Sequence, residues 1–158
     1  MLVQTDWLRF ESTIGFALPA DYKLLVETYG LGTFGRFLMV YQPRSDYEFT
    51  ELRTQIRMNA DKLEFLAEFE PLPYAPEELV PVAGTDNGNS VYWLRSPLDS
   101  PDSWRIVVDQ SRGDTWSEFS GGIVDFLVAA FVDGVRFDAL AENIGPDPVF
   151  TPSGRGEA

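Results

Sequence analysis

The spacing of apolar residues changes character at the proline cluster Pro71-Leu72-Pro73 and Pro76. Before it, apolar residues recur mostly at helical intervals; beyond it they form short runs separated by turn residues. The chain is expected to be a single domain in which helices are joined mainly by an antiparallel meander of short strands.

Val3, Trp7, Phe10 and Ile14 predict a first helix from about Val3 to Thr13, ended by Gly15. Pro19 reads as the first residue of a second helix carrying Tyr22, Leu25, Val26 and Tyr29, stopped by Gly30. Phe37 to Tyr41 reads as a strand closed by Pro43. Ser45 and Glu48 have capping-box spacing and predict a long helix with Phe49, Leu52, Ile56, Ala60 and Leu63 on one stripe. The runs Leu79 to Ala83, Val91 to Leu94, Trp104 to Val108 and Thr115 to Phe119 predict a meander, with hairpin turns at Asp86-Asn87-Gly88-Asn89 and Arg112-Gly113-Asp114. Ser120 is expected to cap a last helix, Ile123 to Val132, which is apolar almost all round and so expected to be buried. Residues 143–158 carry three Pro and three Gly with little apolar material, and are expected to be a disordered tail beyond a domain of residues 1–142.

A chain of 158 residues with four Trp, six Tyr and twelve Phe can build one sizeable core. It contains no His and no Cys. Ser-His-Asp and Cys-His catalysis, thiol redox chemistry and thiolate or imidazole zinc sites are thereby excluded. Carboxylate, Lys, Tyr and hydroxyl chemistry remain. The absence of Cys suits a reducing compartment. Met1 to Asp6 lacks the basic and apolar regions of a signal peptide, and the apolar stretch Ile123 to Val132 is about half the length of a membrane span. These features predict a soluble cytoplasmic protein without a cofactor or metal.

Lys and Arg number 12 against 25 Asp and Glu, a net charge of −13. That balance disfavours nucleic acid and anionic membranes and draws a cationic partner. Between Lys62 and Arg95 no basic residue occurs, while Glu64, Glu68, Glu70, Glu77, Glu78 and Asp86 do. On the long helix Arg57, Asp61, Glu64 and Glu68 share one sector. Arg57 and Asp61 can pair at i, i+4, leaving Glu64 and Glu68 unpaired. Such a face either keeps a protein soluble or docks a basic protein, and these six acids are the candidate partner-binding residues.

Other motifs read as structural. Gly30-Leu31-Gly32-Thr33-Phe34-Gly35 matches G-x-G-x-x-G, but a dinucleotide fingerprint has a strand before it and a helix after it, the reverse of the order predicted. Asp86-Asn87-Gly88-Asn89 offers oxygen donors yet lacks the rest of a calcium loop, so a hairpin explains it better. Adjacent Glu77 and Glu78 point to opposite sides of an extended segment and do not converge as a catalytic pair. Trp7, Trp93, Trp104 and Trp116 lie in apolar segments and are expected in the core. Tyr41 and Tyr47 bracket a turn, as core-edge residues or as interface anchors.

Trp7 through Ile14 with Gly15, then Leu18-Pro19-Ala20-Asp21-Tyr22-Lys23 and Tyr29-Gly30-Leu31-Gly32, resemble the opening of the SUKH superfamily. This Smi/Knr-like group includes a fungal cell-wall synthesis regulator and many bacterial immunity proteins of polymorphic toxin systems. Pro81-Val82-Ala83, Asp86-Asn87-Gly88-Asn89, Trp93 and the segment Ser120 to Phe131 follow in the same order, so the resemblance spans about Val3 to Asp133. It implies a single α+β domain, a mainly antiparallel sheet covered by helices, without enzymatic activity, and a role in binding and neutralising a toxin, often a nuclease. The motif residues Leu18, Pro19, Asp21, Tyr22, Tyr29, Gly30, Gly32, Pro81, Asn87 and Gly88 read as structural rather than as partner contacts.

Three functions therefore stand in order. The first is an intracellular immunity protein that binds a cationic toxin. The second is a regulatory or scaffold module of the same fold without a toxin partner. The third is a carboxylate-dependent hydrolase.

Overall fold

The computed structural model describes residues 5–86, 88–110, 115–140 and 147–153. Within them the chain runs α1 (Trp7–Ile14), α2 (Ala20–Tyr29), β1 (Gly32–Phe34), β2 (Leu38–Val40), α3 (Leu52–Ala67), β3 (Leu79–Thr85), β4 (Ser90–Leu94), β5 (Arg105–Asp109), β6 (Trp116–Phe119), α4 (Ile123–Phe131) and β7 (Phe150–Pro152). The strands form one sheet in the order β6-β5-β4-β3-β2-β1-β7, and every neighbouring pair is antiparallel. The fold is a single α+β domain, as the sequence predicts.

Both faces of the central strands are covered. Val80, Val82, Val91, Trp93, Ile106 and Val108 join a core with Leu18, Tyr22 and Leu25 of the N-terminal helical region and Ile123, Phe126 and Leu127 of α4. The alternate residues Leu79, Tyr92, Leu94 and Val107 pack instead with Leu63 of α3. Strict alternation along β4 and β5 thus feeds two cores, which is why every residue of β4 is buried. Trp93 and Trp104 are fully enclosed, whereas Trp7 and Trp116 are half-buried at the margins.

Several local expectations are corrected. Asp6 caps α1, accepting the N–H of Arg9 at 3.2 Å, so the helix opens at Trp7; Val3 lies outside the described residues. Pro19 is the residue preceding α2, not its first helical residue. The Ser45–Glu48 capping box does not form. Ser45 Oγ accepts the N–H of Tyr47 at 3.1 Å, and Glu48–Thr50 is a separate 3₁₀ turn. The backbones of Gln42 and Glu51 bridge in parallel, with the Leu52 N–H donated to Gln42 O at 2.7 Å, and this tie sets the start of α3 at Leu52. On α3, Leu52 and Leu63 are buried and Ile56 half-buried, but Phe49 and Ala60 are exposed and Asn59 takes the inward position.

Ser120 does not cap α4. Gly122 precedes the helix, and the N–H of Val124 is accepted by Asp21 Oδ2 at 3.1 Å. Val128 and Val132 are exposed, so α4 shows an apolar edge to solvent rather than being buried all round. The expectation of a disordered tail fails at Phe150–Pro152, which pairs with β1 and extends the sheet. The proposed turn Arg112-Gly113-Asp114 lies outside the described residues.

Candidate protein-binding face

The family-like residues occupy structural positions. Leu18 is buried and donates its N–H to Glu11 Oε2 at 2.6 Å; the same oxygen pairs with Lys23 Nζ at 2.9 Å, locking α1 to α2. Tyr22 is fully buried, donates its hydroxyl proton to Tyr41 O at 2.7 Å and meets Trp93 edge to face at 5.0 Å. Tyr29 lies half out of the surface against Phe34 and Phe150. Gly30 ends α2 at φ 70°, ψ −155°, a conformation open only to glycine. Gly32 lets β7 approach, because a Cβ there would lie 2.5 Å from Thr151 O. The glycine-rich segment is therefore a helix-to-strand turn. Pro81 sits beside a register shift in β3, where a missing N–H is tolerated. Gly88 makes the β3–β4 turn at φ 87°, and Asn87 lies outside the described residues.

The six acids do not form one surface. Glu64 and Glu68 are exposed on the outer side and at the end of α3, and Glu70 follows them at the rim of a cleft. Glu77 is exposed and Glu78 half-buried in the 3₁₀ turn leading into β3, whereas Asp86 is exposed beyond the strand's far end. At 3.3 Å per residue, seven residues of β3 hold these two groups about 23 Å apart. Glu64, Glu68 and Glu70 share one segment and Glu77 and Glu78 another, while Gly88, two residues beyond Asp86, borders the same cleft as Glu70. Arg57 and Asp61 are both exposed and are not among the ion pairs of the described residues, which are Lys23–Glu11, Arg36–Asp147, Lys62–Asp109 and Arg105–Glu118.

The outer side of α3 also carries Met58, Phe65 and, just past its end, Phe69, all exposed. The sequence reading missed these residues. Their signal lay in the helical phase: Phe65 stands two positions, or 200°, from the buried Leu63. Tyr47 is likewise exposed, whereas Tyr41 is half-buried.

The cleft beside Glu70 has a volume of about 780 Å³ and is bordered by Lys62, Pro71, Asp109 and Trp116. Lys62 Nζ stands 4.0 Å from Asp109 Oδ2 and 3.4 Å from Ser90 Oγ. Asp109 Oδ1 accepts the Ser90 N–H at 2.7 Å. Burial raises the Asp109 pKa, opposed by the Ser90 N–H and the Lys62 charge. Nearby phenols are also raised: Tyr41 is pushed up to about 12 by burial and by the Asp109 charge, and Tyr92 moves the same way for the same two leading reasons. Among the described residues, no group of three or more Asp or Glu is arranged to hold a metal ion, and no helix is long and apolar enough to cross a membrane.

Comparison with curated proteins and with solved structures returned no match. A family model does match: SUKH_6, described as SMI1-KNR4 cell-wall, aligns with residues 4–127. That span runs from the start of α1 into α4 and includes Leu18 to Gly32, the β3–β4 hairpin and the whole of α3. The chain belongs to the SUKH_6, SMI1-KNR4 family.

Proposed function

We propose that this protein acts by stoichiometric binding, without turnover, as an intracellular immunity protein that neutralises a cationic toxin domain of nuclease type. The observation that carries this reading is the charge. A family member with a net charge of −13 presents Glu64, Glu68 and Glu70 together at the exposed end of α3. A nuclease concentrates Lys and Arg where it binds phosphates, and an acidic surface can occupy that groove and exclude the substrate. The absence of His and Cys, which removes the commonest nucleophile and base pairs, also supports binding over catalysis. The site of action is the cytoplasm of the cell that must be protected.

Growth rescue tests the reading. Cells expressing a basic nuclease toxin encoded beside this gene should stop growing, and should recover when this protein is co-expressed. Continued arrest, with the protein folded and abundant, overturns it.

A further inference from the structure

The outer face of α3 holds an exposed aromatic pair. Phe65 and Phe69 retain 59% and 71% of their accessible surface, and their rings meet at 4.9 Å between centroids with an interplanar angle of 57°. Met58 lies on the same side two turns earlier and is also exposed. The helix needs none of these for its core, since Leu52, Ile56 and Leu63 face inward. Aromatic residues and Met are enriched at the buried centres of protein interfaces, and contiguous apolar surface rimmed by polar groups marks such sites.

We propose that Phe65 and Phe69 form the anchor of the partner-binding face, and that their occupant is an arginine-bearing segment of a cationic protein. The inference deepens the proposed function and rests on it. Each ring face carries negative electrostatic potential, and Glu64 and Glu68 stand beside the pair in sequence on the same exposed helix end. A planar guanidinium stacks on an aromatic face, sheds water more readily than an ammonium and pairs with carboxylates through two parallel hydrogen bonds. Lys62, the basic residue nearest these acids in sequence, is engaged with Asp109 and Ser90. A second copy of this chain is the wrong occupant. Two-fold pairing through this face would bring the acids of both copies together in a surface that is already strongly negative.

The test is an NMR titration of the full chain with two synthetic peptides of equal length and charge, one carrying arginines and the other lysines. The arginine peptide should shift the Phe65 and Phe69 ring signals and the Glu64 and Glu68 amides, and bind several-fold more tightly than the lysine peptide. Phe65→Ala/Phe69→Ala should weaken arginine binding about tenfold with an unchanged melting temperature; Phe69→Ala alone, at the more exposed ring, serves if the double variant is less stable. Equal binding of both peptides, or shifts spread to Glu77 and Asp86 and indifferent to the ring deletions, overturns the proposal. So does a concentration-dependent dimer of the unmodified chain that the ring deletions dissolve. Growth rescue separates the two levels. Rescue retained by a double variant that no longer answers to arginine removes the aromatic anchor alone, whereas failed rescue by a chain that still binds arginine through these rings removes the immunity reading alone.

Discussion

Asp21 Oδ2 accepts the N–H of Val124 at 3.1 Å, joining the first turn of α2 to the first turn of α4 across 103 residues of chain. The carboxylate does for α4 what Ser120 does not, because two glycines separate Ser120 from the helix start. A second such link lies close by: Asp102 Oδ1 accepts the N–H of Ala20 at 2.7 Å at the start of α2. Helix starts leave unpaired N–H groups and a partial positive charge, so both carboxylates stabilise the helix packing. Asp21→Ala should lower stability by about 1 kcal/mol, read by urea denaturation, with Asp21→Asn losing less. An unchanged midpoint for Asp21→Ala would mean the link carries no energy.

Asn59 occupies a buried position on α3 because its Oδ1 accepts the Tyr92 hydroxyl proton at 3.1 Å, while its Nδ2 donates to Gln55 O at 3.0 Å. Asn59→Ala removes the acceptor of the Tyr92 hydroxyl proton, leaving Ser90 as its side-chain partner, and should cost about 1 kcal/mol. Adding Tyr92→Phe removes the hydroxyl, so the double variant should be less destabilised than the sum of the two single changes, measured as a double-mutant cycle.

Gly30 holds a backbone conformation that a Cβ disfavours. Gly30→Ala should destabilise by about 1–3 kcal/mol, and Gly30→Val by more. A thermal melt of either variant that overlays the unmodified protein contradicts the turn geometry.

The buried phenols fix the sign of the alkaline response. Burial and the Asp109 charge raise the Tyr41 pKa from 10.0 to about 12, so above pH 10 the unfolded chain loses a proton that the folded chain keeps. The corresponding stability is whole below pH 10 and is lost as pH rises towards 12. Tyr22 and Tyr92, both raised with burial as the leading cause, act in the same direction. The melting temperature should fall steeply above about pH 10, and less steeply in Tyr41→Phe. Phenolate absorbance from these buried groups should appear with unfolding and not before it.

Much of the fold was legible where a residue's own neighbours decide its place. Short apolar runs between turn residues marked β3 to β6 to within a residue or two, and Pro19 and Gly30 bracketed α2 because ring geometry and positive φ act locally. What escaped depends on distant partners. Asn59 reads as a surface residue until Tyr92, 33 positions away, supplies its hydrogen bond. Asn89 reads as a turn residue, yet its Nδ2 donates to Asp109 O at 2.7 Å and Ala139 O at 2.8 Å. Phe150–Pro152 has no strand pattern of its own and becomes β7 through pairing with the edge strand β1. Of the candidate acids, charge counting gave a list without a geometry: the length of β3 separates Glu77 and Glu78 from Asp86, which a sequence-wise run of acids does not reveal.

Glu64→Lys/Glu68→Lys should reduce affinity for the cationic partner by at least about tenfold and flatten its dependence on salt. Both side chains are exposed, so stability should stay within about 0.5 kcal/mol of the unmodified protein. Unchanged affinity would exclude the end of α3 from the interface.

The most direct test of a binding role is a pull-down from native lysate with the tagged protein, eluted along a salt gradient and identified by mass spectrometry. The captured polypeptide is then expressed with and without its captor. The predicted result is a single basic polypeptide, released at moderate salt, that arrests growth alone and is silenced by this protein. A neutral housekeeping complex, or a captured protein whose toxicity this chain leaves untouched, would contradict it.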